Sequence, residues 1–217
     1  SASSIVALME AIDRYLDRTS TTREKIRKGI QYHNLFQAAN GSGADIATSY
    51  LGGWIEYSKK ELAKPIDRPN VDKFNFSIIS TLEPVSTPSS IHYFNNWLEG
   101  DKVRSRMLLQ EMQEVSTYGI SAAKESNCLL FSESISHYGS LLRELQDQSG
   151  IQIYNAKHNK IAEVALSYGL SYKPCGAGGD LGFVFSRNAI QDEFYDEIMP
   201  YGKVIELDLM VSGAIDF

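Results

Sequence analysis

Two short glycine-rich segments hold the residues of this chain best suited to chemistry. The first is Asn40-Gly41-Ser42-Gly43-Ala44-Asp45. Glycine has no Cβ, so the backbone around Ser42 can pass close to a ligand. The segment is predicted to open a helix, whose free N–H groups and dipole favour an anion. Asp45 falls in the first turn of that helix. A carboxylate there could orient or deprotonate a hydroxyl that faces a bound phosphate. On spacing alone, an aspartate that merely caps a helix after a glycine turn is the commoner case.

The second segment is Gly176-Ala177-Gly178-Gly179-Asp180-Leu181-Gly182, four glycines in seven residues. Such density implies backbone positions with positive φ or close contact. It lacks the Lys-Ser/Thr of a P-loop, and a strand rather than a helix is predicted to follow, so a dinucleotide fingerprint is also excluded. A strand–turn–strand corner without ligand fits the same residues. Cys175, just before it, is either a reactive thiol or a small packing residue.

The other reactive side chains form no metal or hydrolase pattern. His33, His92, His137 and His158 lack metal-ligand spacing. His33 and His137 fall in predicted helices, as core or surface residues. There is no Cys-x-x-Cys, His-Glu-x-x-His or Gly-x-Ser-x-Gly, so zinc and serine hydrolases have no support.

The elements that must position these segments are legible from periodicity. Residues 3–17 read as a helix through Ile5, Leu8, Met9, Ile12, Tyr15 and Leu16. A second helix over 22–39 starts with a capping box, Thr21 with Glu24, and puts Ile26, Ile30, His33 and Gln37 on one side. A helix over 44–50 and a strand over 52–57 follow. The charged stretch 59–73, with Pro65 and Pro69, reads as the connection between domains. Residues 74–81 form a strand, and Thr87-Pro88 starts a short helix over 89–98. Long helices are predicted at 101–125, with Val103, Met107, Met112, Val115 and Ala122 inward, and at 128–148, with Phe131, Ile135, Tyr138, Leu142 and Leu145 inward. A helix at 156–168, a strand at 183–186, a helix at 188–198 and a strand near 203–210 complete an α+β chain.

The 217 residues are 43% hydrophobic and 22% charged, with two cysteines and a formal net charge of −6. That is a globular balance, enough for one large or two small domains. Two cysteines exclude a disulfide scaffold and predict a reducing, cytoplasmic setting. No apolar run approaches a membrane span, and the opening twelve residues do not form a signal peptide. The acidic total, with no basic block, argues against a nucleic-acid partner.

Taken together, the two glycine segments resemble the GHMP kinase superfamily. Asn40–Ser49 with Gly52–Ser58 resembles the middle of these enzymes, most closely the phosphomevalonate kinases. Lys173–Asp180 resembles their third motif in its Asp-containing form, one glycine shorter than usual, and Ser1–Ser4 resembles the tail of the second motif. The resemblance implies transfer of the γ-phosphoryl group of ATP, with Mg²⁺, to a small phosphorylated or hydroxylated metabolite. It implies Asp45 as the catalytic aspartate. Ser42, Gly43, Gly176, Ala177, Gly178, Gly179 and Asp180 would contact substrate or phosphate, and Ser1 and Ser3 would be a remnant of the nucleotide loop. It also implies a ferredoxin-like sheet in residues 66–217, with residues 1–65 as the remnant of an ATP-binding domain. Because the chain starts within the second motif, it is expected to be truncated and inactive by itself, with the apolar stripe of its first helix partly uncovered and prone to self-association through residues 1–60. Other readings are a mevalonate or sugar kinase of the same superfamily, or a catalytically silent binding protein.

Overall fold

The computed structural model describes residues 2–37, 41–67, 74–83, 87–176, 178–206 and 213–214. It divides into two units, Ser1–Arg68 with Asp208–Phe217, and Pro69–Leu207.

In the first unit, α1 (Ala2–Tyr15), α2 (Thr22–Gln37) and α3 (Ala44–Leu51) pack with a hairpin of β1 (Ile55–Ser58) and β2 (Leu62–Pro65). The capping box is formed: the Thr21 N–H donates to the Glu24 carboxylate at 2.8 Å, and the Glu24 N–H donates to the Thr21 hydroxyl at 3.3 Å. Two orphan donors of the first turn are thereby satisfied. Val6, Ile26, Ile46, Ala47, Tyr50 and Leu62 form the buried core. Helix α1 turns Val6 and Glu10 inward, and Lys25 Nζ of α2 lies 2.8 Å from the Glu10 carboxylate. As a result Leu8, 61% exposed, and Ile12 form an uncovered ridge on the opposite side, as expected for this stripe.

The stretch 59–73 is not a plain connection, because β2 lies within it. Leu62 supplies a buried side chain that pins the hairpin, with Ser58 opposite Leu62 and Ile55 opposite Pro65. Pro65 ends a strand of a two-stranded sheet, in which both strands are edges and a missing N–H is tolerated. Chain ownership also differs from a simple two-block division. Gly213 returns to the first unit, so close to the backbone of Tyr50, Leu51 and Gly52 that a Cβ would lie 2.1 Å from the Tyr50 carbonyl oxygen.

The second unit is built on four antiparallel strands, β3 (Asn75–Ser80), β4 (Ser171–Pro174), β5 (Leu181–Ser186) and β6 (Lys203–Ile205), in the order β4-β5-β3-β6. This is the ferredoxin-like arrangement, in which each adjacent pair runs in opposite directions. Residues 207–210 of the expected last strand lie outside the described residues. Between β3 and β4 come α4 (Thr87–Gly100), α5 (Lys102–Lys124), α6 (Cys128–Ser149) and α7 (Ala156–Ser167), and α8 (Asp192–Ile198) links β5 to β6. Ile79 and Val184 of the sheet pack with Leu142, Leu145 and Ile161 of the helices. The side chains of Thr87 and Pro88 lie outside the description.

One helix faces differently from expectation. Val103 and Met107 of α5 are 72% and 67% exposed, and the buried face is instead Ser105, Leu108, Met112, Gly119, Ala122 and Ala123. The small residues decide this. At Gly119 a Cβ would already lie 3.2 Å from Ser134 of α6, so this face makes the close approach and the larger side chains turn away.

Candidate functional site

In the first unit, the turn before α3 is fixed by Gly43. Its φ is +85°, and a Cβ there would lie 2.6 Å from Ile30 and 3.0 Å from the Tyr57 hydroxyl. No other residue fits that conformation and that space without strain. The Tyr57 O–H donates to the Ser42 carbonyl, the Ala44 N–H donates to Ser42 Oγ at 3.3 Å, and the Gly41 N–H donates to Asn34 Oδ1 at 3.0 Å. Both neighbouring elements thus hold the turn.

Asp45 follows in the first turn of α3. Its Oδ1 accepts the Ile46 N–H at 2.9 Å, and its Oδ2 lies 3.4 Å from Nδ1 of His33. The Asp45 side chain is 52% exposed while that of His33 is buried. A carboxylate edge therefore faces outward, backed by an imidazole. Burial and the Asp45 charge push the Tyr57 hydroxyl above its ordinary pKa, so it remains a donor to Ser42. Sequence reasoning left His33 as a core or surface residue and did not single out Tyr57. The signal for His33 was its place seven residues after Ile26 on the buried side of α2, where an imidazole needs a partner.

Ser3 is exposed on the first turn of α1. Ser1, Asn40 and Ala177 lie outside the described residues.

In the second unit, the glycine loop joins β4 to β5. Gly178 has φ +88°, and a Cβ there would lie 2.3 Å from the Ile153 carbonyl oxygen. The Gly179 carbonyl accepts from three side chains: Thr81 Oγ1 at 2.7 Å, His158 Nε2 at 2.9 Å and Asn155 Nδ2 at 3.2 Å. Asp180 turns back to the end of β3. Its Oδ1 accepts from the Ser80 hydroxyl and, at 3.0 Å, from the Leu82 N–H, and its carbonyl accepts the Thr81 N–H at 2.7 Å. Lys157 Nζ donates to the Thr81 carbonyl at 2.7 Å and lies 3.3 Å from Glu83. Part of Asp180 therefore acts as a strut that holds the loop to the sheet.

Beside this loop, burial pushes the Cys175 thiol above its usual range, so it stays protonated, as suits a packing residue. Burial likewise lowers Lys173, whose Nζ donates to the Pro174 carbonyl at 3.2 Å. Among the described residues, no group of three or more His, Cys, Asp or Glu side chains could hold a metal. No described helix is long and apolar enough to cross a membrane.

No protein-family model matches the sequence. The phosphomevalonate kinase of Streptomyces sp. (strain CL190) is 24% identical over an alignment of 161 positions, a match that covers 64% of this chain and 43% of that protein. Among solved structures, the Lin0012 protein from Listeria innocua matches with a TM-score of 0.79 at 22% identity, over 93% of this chain and 63% of that one. The L. major mevalonate kinase in complex with R-mevalonate matches with a TM-score of 0.70 at 17% identity, over 92% of this chain and 59% of that one.

The fold is that of the GHMP kinases. This chain spans less than half of the curated relative, 43%, and about three fifths of the two structures. Within the GHMP kinase fold, the helical unit carries Asp45 and its His33 backing. The ferredoxin-like unit carries the glycine loop with its clamped carbonyl.

Proposed function

We propose that this protein is an ATP-dependent small-molecule kinase of the GHMP type, with phosphomevalonate as its acceptor. The observation that carries the reading is Asp45. A half-exposed carboxylate follows a left-handed Gly43 turn and is backed by buried His33, in a chain of this fold. In this reading an acceptor phosphate oxygen attacks the γ-phosphorus of ATP, the bond to the β–γ bridging oxygen breaks, and ADP leaves. Such a transfer rests on positioning and electrostatics more than on covalent chemistry. A phosphate acceptor is already ionised near neutral pH, so Asp45 orients it rather than deprotonating it.

Ser42 and Gly43 line the acceptor side. We assign the Gly176, Ala177, Gly179 and Asp180 stretch to phosphate through backbone N–H groups, with Gly178 shaping the turn, since its own N–H donates to the Cys175 carbonyl at 3.1 Å, and we assign Ser1 and Ser3 to the nucleotide. The triphosphate would bring Mg²⁺ and supply most of its ligands, as is common for this ion, which fits the lack of a side-chain metal cluster among the described residues. The 24% identical phosphomevalonate kinase supports the choice of acceptor. Two free cysteines fit a reducing compartment, and we place the reaction in the cytoplasm. The exposed Leu8 and Ile12 ridge supports self-association through residues 1–60, which light scattering reads directly.

The test is a coupled ADP-release screen of the complete gene product against phosphomevalonate, mevalonate and a panel of sugars. Sustained release with phosphomevalonate alone is expected. Release only with mevalonate or a sugar would move the acceptor within the superfamily, and release with none would overturn the kinase reading.

A further inference from the structure

His158 is fully buried in α7 and bonded through both ring nitrogens. Nε2 faces the Gly179 carbonyl, which can only accept, so Nε2 carries the hydrogen. Nδ1 faces the Tyr172 hydroxyl, which donates to it. Tyr172 has been pushed well above the ordinary tyrosine range by burial, so its proton stays in place. The partners thus define one neutral tautomer and one direction of donation: Tyr172 to His158 to Gly179.

The peptide that joins Gly179 to Asp180 is trans. In a trans peptide the carbonyl and the following N–H point in opposite directions. Holding the Gly179 oxygen toward His158, Thr81 and Asn155 therefore turns the Asp180 N–H away from those three side chains. We propose that His158 is a positioning residue of the glycine loop, which fixes this peptide so that the Asp180 N–H is presented to an anion. The anion part rests on the kinase reading above; the clamp rests on the hydrogen bonds alone.

The groups facing the ring fit this role. Burial lowers the pKa of His158, while its bond to the Gly179 carbonyl and the charges of Glu83 and Asp180 oppose that shift. Tyr154 packs edge-on to the ring, with centroids 6.2 Å apart. Lys157 next to it is engaged by Thr81 and Glu83.

The experiment is NMR on the full chain as wild type, His158→Gln and His158→Leu. Long-range ¹⁵N–¹H correlations report the His158 tautomer. Amide exchange reports the loop, and inorganic phosphate is the probe ligand. The expected wild-type ring is the Nε2–H tautomer. Glutamine can restore the donor to Gly179, so exchange at the bonded amides of the loop, Gly178 to the Cys175 carbonyl at 3.1 Å and Thr81 to the Asp180 carbonyl at 2.7 Å, stays within about twofold of wild type. Leucine cannot, and local exchange there rises roughly tenfold, as expected for one lost net hydrogen bond, while Val184 in β5 is unchanged. The phosphate-induced shift of the Asp180 amide is lost in His158→Leu and kept in His158→Gln.

An Nδ1–H tautomer would overturn the inference. So would equal loop exchange in all three proteins, or faster exchange spread evenly over the second unit. Should His158→Leu fail to fold, Tyr172→Phe takes its place: the Nε2–H tautomer persists because the Gly179 carbonyl still only accepts, but the ring loses its second anchor and loop exchange rises, and unchanged loop exchange refutes the clamp. A wild-type loop whose amides ignore phosphate would overturn the phosphate reading alone, because tautomer and exchange decide the clamp by themselves.

Discussion

Asp45→Asn separates a chemical role for this residue from a merely structural one. The substitution keeps shape and removes charge. Asparagine retains an oxygen that can accept the Ile46 N–H, now bonded at 2.9 Å, so the first turn of α3 stays closed. Aspartate and asparagine are about equal at helix starts. What is lost is the charge facing His33 at 3.4 Å, on a side chain 52% exposed. His33 is buried but the carboxylate is half in solvent, which screens the contact, and such a pair contributes on the order of 1 kcal/mol. For a chain of this size that corresponds to a fall in Tm of no more than about 4 °C. The rate should respond on another scale. A positioned acid–base or orienting group commonly contributes ~10²–10⁴-fold, or roughly 3–5 kcal/mol of barrier. Coupled ADP release should therefore show kcat reduced at least ~100-fold with the KM for ATP nearly unchanged, and thermal unfolding should be almost superimposable on wild type. A loss in kcat under about tenfold, or a loss of rate that tracks a large loss of stability, would refute the reasoning and leave Asp45 as a helix cap.

Gly178→Ala forces a side chain into φ +88° with its Cβ 2.3 Å from the Ile153 oxygen; backbone strain alone costs about 1–3 kcal/mol. Urea unfolding of the second unit should lose at least that much, and an unchanged midpoint would contradict the packing described. Thr21→Ala removes one half of the capping box, at about 1 kcal/mol, visible as faster amide exchange in the first turn of α2 and not in α3. Burial lowers the pKa of His158, so the unfolded chain takes up its proton first on acidification. The stability from this group is complete above the ordinary histidine value, near pH 6.5, and is lost as pH falls through the lower folded value. His158→Gln should flatten the wild-type decline in stability just below pH 6.5, and parallel curves would show that His158 titrates alike in both states.

Local chemistry made much of this structure legible. Thr21 and Glu24 are three residues apart and cap each other, so the start of α2 follows from sequence alone. The glycine run announced a turn feeding strand β5, and β3 and β5 followed from their aromatic and β-branched content, whereas β4 before the turn was not among the expected elements. Asp45 was placed correctly in the first turn of α3. Features that depend on which neighbour is nearest were hidden. Strand β2 lies in a charged stretch with a proline, and only its pairing with β1 reveals it. Helix α5 offered two apolar faces, and the close approach of Gly119 to α6 chose the one with smaller residues. His33 meets Asp45 and His158 meets Gly179 across turns and strands. A linear pattern shows that each imidazole is available but not what it touches.

The central claim is transfer of a phosphoryl group from ATP to a small phosphorylated acceptor, and ³¹P NMR of the complete gene product with Mg-ATP and phosphomevalonate follows it atom by atom. The γ-phosphate resonance of ATP should decline as a pair of coupled diphosphate resonances grows on the acceptor in equal amount, and Asp45→Asn should slow both together. Persistence of the ATP signal, or its conversion to inorganic phosphate with the acceptor resonance unchanged, would contradict the account.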